Sequence, residues 1–228
     1  NTRAKTTRNS LILLLTAAIW GMAFVSQSKG MDYMHPFTFN GVRSLIGAAS
    51  ILVYILISRK IAGDKAAPLD WKLNVKAGLL CGIFLTIAST LQQFGIKYTS
   101  VGKAGFITTL YIIFVPMFGI FLKKKVAPVV WAAAVMAAVG MYLLCMTESL
   151  RLGAGDIMVF LCAIAFAIQI MTVDHYAARI DGAVVSCIQF TVCGVVCCIG
   201  ALIWGQPTFG QLQEGLGALL YAGVLSCG

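Results

Sequence analysis

Acidic side chains are scarce in this sequence. Eight Asp and Glu stand against seventeen Lys and Arg, and charged residues make up only 11% of the 228 positions. None of the carboxylates lies deep in an apolar run; Asp32, Asp64, Asp70, Glu148, Asp156, Asp174, Asp181 and Glu214 fall at run ends or in polar segments. Proton-coupled exporters of organic cations usually rely on an intramembrane carboxylate, so the sequence argues against that mechanism. The two histidines, His35 and His175, sit in loops, and no cysteine has a histidine at metal-ligand spacing. No phosphate-binding glycine loop or nucleophile–base pair is recognisable, so the sequence points to no enzyme, no metal and no cofactor. The eight cysteines all fall in apolar runs and are expected as small reduced fillers of helix contacts rather than a disulfide framework.

What the sequence has in excess is apolar surface. Hydrophobic residues make up 60% of the chain and its mean hydropathy is +0.91, more than a soluble domain of this length could bury. The fold class expected is therefore an all-α polytopic membrane protein with the lipid bilayer as its surroundings. A net charge of +9 would suggest nucleic acid in a soluble protein. Here it reads as the excess of Lys and Arg on cytoplasmic loops, so no nucleic-acid partner is expected.

Hydropathy predicts helices over about Ser10–Ser28, Pro36–Ile57, Val75–Lys97, Ser100–Leu122, Pro128–Met146, Asp156–Val173 and Ala183–Trp204, with an eighth starting near Leu212. No cleavable signal sequence is recognisable, and the chain stops at Gly228 inside an apolar run, which suggests a C-terminal fragment. With the N-terminus inside, twelve of the seventeen basic residues fall on the cytoplasmic side. They include Arg3, Lys5 and Arg8, the loop from Arg59 to Lys76, and Lys123–Lys125. That asymmetry supports the parse up to the triple lysine; beyond Arg151 only Arg179 contributes.

The second half echoes the first. An offset of 146 carries Trp20 onto Phe166 and Arg43 onto Gln189, and Leu79-Leu80-Cys81-Gly82 sits like Leu220-Tyr221-Ala222-Gly223. Five helices per unit is an odd number, so a true repeat would be inverted, with a site near the midplane between the copies. The units expected are 1–147 and 148–228, the second incomplete.

Several polar residues stand out. Thr86, Ser89, Thr90, Gln93 and Lys97 recur at helical spacing on one stripe of the third helix, either as interhelical hydrogen bonds or as the lining of a wet cavity. Arg43 is charged well inside a span, about 10 Å from the outer end, and must face protein or water rather than lipid. It contacts substrate or a gate, or else anchors backbone carbonyls. Trp20 lies too deep for an interfacial belt and either packs in the bundle or walls a cavity. Tyr111, Gln169 and Tyr221 are weaker candidates of the same kind. Lys103 is out of keeping with the first turn of its helix, where the backbone dipole is already positive. It either joins Lys97 at an entrance for an anionic group or reaches outward to lipid phosphate.

Trp20-Gly21, Pro36…Arg43, Gly95…Tyr98-Thr99-Ser100…Ala104-Gly105-Phe106 and Pro116 together resemble the drug/metabolite transporter superfamily, EamA type. The motifs are short, and the resemblance rests on their order along consecutive helices. It implies ten helices in two inverted five-helix repeats, both termini cytoplasmic, and a central cavity between the halves. About eight of the ten are present, the ninth and tenth being missing. It implies export or exchange of small metabolites such as amino acids.

The function expected is a multi-pass transporter of small organic solutes in the plasma or inner membrane, working by alternating access. Its substrate-binding candidates are Trp20, Arg43, Thr86, Thr90, Gln93, Lys103, Tyr111, Gln169 and Tyr221. The alternatives are a multidrug exporter and a non-transporting membrane scaffold or receptor. The oligomeric state is open, with a monomer expected for a full-length chain.

Overall fold

The computed structural model describes residues 2–63, 69–121, 128–145 and 153–227. Every regular element among them is helical. Helix α1 spans Thr2–Tyr33, α2 Pro36–Ala62, α3 Trp71–Tyr98, α4 Val101–Thr109, α5 Tyr111–Phe121 and α6 Pro128–Cys145. Helix α7 spans Ala154–Tyr176 and α8 Gly182–Gly200, which runs on as a π-helical segment, Ala201–Gly205. Short helices α9 (Phe209–Glu214) and α10 (Leu216–Leu220) follow, and a second π-helical segment, Tyr221–Cys227, continues from α10. Among the described residues six helical stretches are long and apolar enough to cross a membrane, with α4 and α5 counted as one. The chain is an all-α, multi-pass membrane protein.

The helix starts follow from local chemistry. Pro36 opens α2, where its missing N–H is not needed, and His35 before it is extended (ψ 145°) and accepts the Phe37 amide at 3.4 Å. Asp70 accepts Leu73 N–H at 3.1 Å and starts α3 four residues earlier than hydropathy suggests. Asp181 starts α8 by accepting the amides of Ala183 and Val184 at 3.0 and 3.3 Å. Helix α1 passes through the polar Ser28-Lys29-Gly30 and stops only before His35-Pro36, because none of those three residues breaks a helix as proline does.

The fourth expected helix is not continuous. It breaks at Leu110, whose amide turns back to Ile107 O, while Thr109 Oγ1 donates to Gly105 O at 2.6 Å. Back-bonding of this kind bends a helix, and Pro116 in the next segment cannot donate to the carbonyl four residues before it. Leu122, Lys123–Lys125, Met146 and Glu148–Arg151 lie outside the described residues.

Helix α3 is the most enclosed span. It packs along α7 and α8, and α8 in turn packs along α2. Glycines allow the closest approaches. A Cβ on Gly95 of α3 would lie 2.9 Å from Gly155 O, and one on Gly155 of α7 would lie 2.9 Å from Gly95 O. Residues Asn9–Ala18 of α1 are exposed, and its buried positions Ala23, Gln27 and Gly30 follow only later in the helix.

Each end of the bundle is tied across elements. At the Lys97 end, His35, Phe37, Phe94 and Trp204 form a ring cluster, with Phe37 stacked on Trp204 at 5.6 Å and edge-on to Phe94 at 5.2 Å. At the Arg59 end, Asn74 Oδ1 accepts the Asp181 amide at 2.9 Å, and Arg59 lies 3.5 Å from the Asp181 carboxylate.

Candidate substrate site

Between the two ends, α2, α3 and α8 enclose a polar cluster. Asn40, Arg43 and Ser44 come from successive exposures of one face of α2, Ser89 and Thr90 from α3, and Cys193 and Cys197 from one turn of α8. Arg43, 6% exposed, donates from Nε and Nη2 to Asn40 Oδ1 at 3.1 and 2.9 Å. Asn40 Nδ2 donates onward to Ser89 Oγ at 3.0 Å and Cys197 Sγ at 3.2 Å. Ser44 donates to Cys193 Sγ at 3.5 Å, and the Ser89 hydroxyl lies 3.3 Å from the same sulfur. A guanidinium in such a place needs its hydrogen bonds satisfied and its charge balanced. Asn40 answers the first need; among the described residues no carboxylate lies within 4.0 Å of Arg43 to answer the second.

The predicted residues divide accordingly. Arg43 and Thr90 belong to the cluster, Thr90 through a 3.6 Å contact with Cys197 Sγ. Thr86 is half-buried and spends its hydroxyl on Gly82 O of its own helix at 2.6 Å. Gln93 is fully buried one turn beyond Ser89 and donates to the backbone oxygen of Gln27 at 3.3 Å, joining α3 to α1. Lys97, the last of the stripe, is exposed and lies 5.9 Å from the Tyr98 ring centroid. The stripe is therefore not one wet wall: it is hydrogen-bonded to α2 and α8 at its centre and to α1 near its end.

The other candidates stand apart from this cluster. Gln169 donates to Gln189 Oε1 at 3.0 Å between α7 and α8. Tyr221 donates to Ile19 O at 3.2 Å and lines a groove of about 230 Å³ between α1 and α10, with Met22, Ser26 and Lys29. Trp20 is 53% exposed, although it shares the face of Gln27, seven residues on. Tyr111 opens α5, which packs on α6 and α7.

Lys103 has a partner neither expectation named. Its ammonium lies 4.0 Å from Asp156 Oδ2, and Asp156 is 4% exposed. Oδ1 of that carboxylate accepts the Thr99 hydroxyl, and Oδ2 accepts the Gly153 amide at 2.9 Å. The lysine that sits badly on the dipole of α4 is offset by a carboxylate sitting well on that of α7.

Sequence reasoning passed over Asn40, although its position three residues before Arg43 puts both on one helix face. It also passed over Cys193 and Cys197, whose sulfurs accept hydrogen bonds instead of filling apolar gaps. Asp156 was placed correctly at a helix end, but its burial was not legible. Among the described residues no three His, Cys, Asp or Glu side chains gather as a metal site.

The order of these helices matches a known family: residues 8–146 match the EamA-like transporter family. The chain belongs to that family. An uncharacterized transporter of Archaeoglobus fulgidus is 31% identical over 171 residues, covering 72% of this chain and 48% of the relative. This EamA-family chain thus spans about half the length of that relative. No solved structure matches it.

Proposed function

We propose that this EamA-family protein carries small organic solutes, amino acids or related compounds, across the cell membrane as an exporter or exchanger. It works by alternating access, with its N-terminus in the cytoplasm and the site near the middle of the bundle. The observation that carries this reading is Arg43: a guanidinium buried among Asn40, Ser44 and Ser89, with hydrogen bonds but, among the described residues, no acid beside it. A substrate carboxylate would supply the missing charge.

Two inverted units, 1–147 and 148–228, form the moving parts. Supporting this, Gly82 meets Val192 and Gln189, while Gly223 meets Ile46 and Arg43. Subtracting 146 from 192 and 189 gives 46 and 43, so each glycine meets the counterparts of the other's neighbours.

The test is uptake of radiolabelled amino acids into proteoliposomes holding the purified chain. Arg43→Gln should lower uptake at least about tenfold, as expected when one partner of a buried charge pair is removed. Arg43→Lys should recover little, lacking the fork that engages Asn40 Oδ1 and a carboxylate together. Unchanged uptake by Arg43→Gln would remove Arg43 from the site, and no uptake by the native chain would remove the transport reading.

A further inference from the structure

Among the described residues three buried side-chain oxygens have no hydrogen-bond partner: Thr38 Oγ1 on α2 and the amide oxygens of Gln27 and Gln93. Oε1 of Gln27 on α1 and Oε1 of Gln93 on α3 are enclosed, the residues being 4% and 0% exposed, and neither accepts a hydrogen bond from any described group. Their residues touch: Gln93 Nε2 donates to the backbone oxygen of Gln27 at 3.3 Å. Buried amide oxygens are nearly always satisfied, and an apolar residue of the same shape would serve packing at less cost. Two together, on different helices, mark acceptors held for a donor that arrives.

The donor's surroundings follow from the neighbouring residues. Gly30, three residues from Gln27, packs against the Phe39 ring, and the Arg43 guanidinium carbon lies 5.8 Å from that ring's centroid. On α3, Gln93 is one turn, about 6 Å, from Ser89, and Ser89 connects through Asn40 to Arg43. The amide pair and the guanidinium are therefore linked by a short run of neighbours, from Gln27 and Gln93 through Ser89 and Asn40 to Arg43. Lys29 and Lys97, the basic residues nearest in sequence, are exposed.

We propose that Gln27 and Gln93 form an ammonium subsite, so that the protein selects solutes carrying a primary amine as well as a carboxylate over plain carboxylates. This rests on the reading of Arg43 given above and adds the second pole. A primary ammonium brings three donors, enough for both oxygens, and no negative side chain is needed because the solute is neutral overall.

The experiment is binding to the purified full chain, followed by thermal unfolding. Each of the protein amino acids is tested singly, and any that binds is compared with its des-amino carboxylate. The amino acid should bind at least about tenfold more tightly, since a site with buried acceptors rejects a solute lacking the donor. Gln93→Leu, and separately Gln27→Leu, should bring the amino acid down to the affinity of its des-amino analogue. Gln27→Leu removes an unsatisfied buried oxygen and should not unfold at lower temperature, whereas Gln93→Leu also gives up its hydrogen bond to Gln27 O and is read on affinity; a Gln93→Glu variant, which keeps the acceptor, should retain the preference. Equal affinity for the two solutes in the native chain overturns the subsite, and if Arg43→Gln then abolishes both, the carboxylate reading survives alone. A preference that persists in both leucine variants also overturns it, as does stabilisation by sodium chloride over choline chloride without an amine. Binding of neither solute overturns both readings.

Discussion

Lys103 and Asp156 are 53 positions apart in sequence and 4.0 Å apart in the fold, joining the first turn of α4 to the first turn of α7. The carboxylate does three things at once: it faces Lys103, accepts the Thr99 hydroxyl, and accepts the Gly153 amide at the start of α7. Asp156→Ala removes all three and should cost about 2 kcal/mol, combining a lost cap with loss of the carboxylate beside a largely buried ammonium. Adding Lys103→Met should recover part of that loss, because the lysine then no longer needs the carboxylate. Thermal unfolding of the single and double variants in detergent measures both. A double variant no more stable than Asp156→Ala would mean the charge pair contributes nothing.

Gly82 and Gly223 predict a matched pair of effects. A Cβ on Gly82 would lie 2.8 Å from Val192 Cβ, and one on Gly223 would lie 2.7 Å from Ile46 Cγ2. Both are closer than packed carbons tolerate, so Gly82→Ala and Gly223→Ala should each destabilise by about 1–3 kcal/mol through overpacking. Gly102→Ala, where a Cβ would meet nothing within 4 Å, is the control and should leave the unfolding temperature nearly unchanged.

Those glycines mark what could be read in advance. The spans were legible because the hydropathy of each is set by its own residues. Gly82 and Gly223 stand out in the sequence because similar apolar residues, Leu79-Leu80-Cys81 and Leu220-Tyr221-Ala222, precede them. Lys103 was visible as an anomaly, but its resolution was not, since no local rule links position 103 to 156. Trp20 illustrates the opposite failure. Whether a neighbour covers its side chain depends on how α1 meets the bundle: Tyr221 reaches the adjacent Ile19 O, yet the indole stays 53% exposed. The polar stripe of α3 was legible as a stripe; that its centre bonds to α2 and α8 depends on Asn40, Cys193 and Cys197, which look apolar or incidental in their own helices.

At the Arg59 end, magnitudes separate two contacts to one residue. Arg59 and Asp181 are each more than a third exposed, so their ion pair is screened and Arg59→Ala should change stability by less than about 1 kcal/mol. Asn74 is buried, accepts the Asp181 amide and donates to Asp70 O at 2.8 Å. Asn74→Ala leaves the Asp181 amide without its acceptor, while Asp70 O keeps the backbone N–H of residue 74, and should cost about 1–3 kcal/mol. The reverse order of effects would show that the exposed pair, rather than the asparagine, ties α2 and α3 to the start of α8.

His35 gives the Lys97 end a dependence on pH. Burial first, and the charge of Lys97 second, hold its pKa below the usual 6.5. The neutral ring accepts the Phe37 amide at Nδ1 and sits 5.7 Å from the Phe37 ring and 5.6 Å from Phe94. Because the folded chain binds this proton less readily than the unfolded one, the stabilising effect is complete above about pH 6.5 and declines as the pH falls through the lower folded value. Protonation would also remove the acceptor that starts α2. The unfolding temperature should therefore fall between pH 7.5 and pH 5, and in His35→Gln, which cannot take up the proton, that part of the fall should vanish. An identical pH profile for the native chain and His35→Gln would assign the acid sensitivity to other groups.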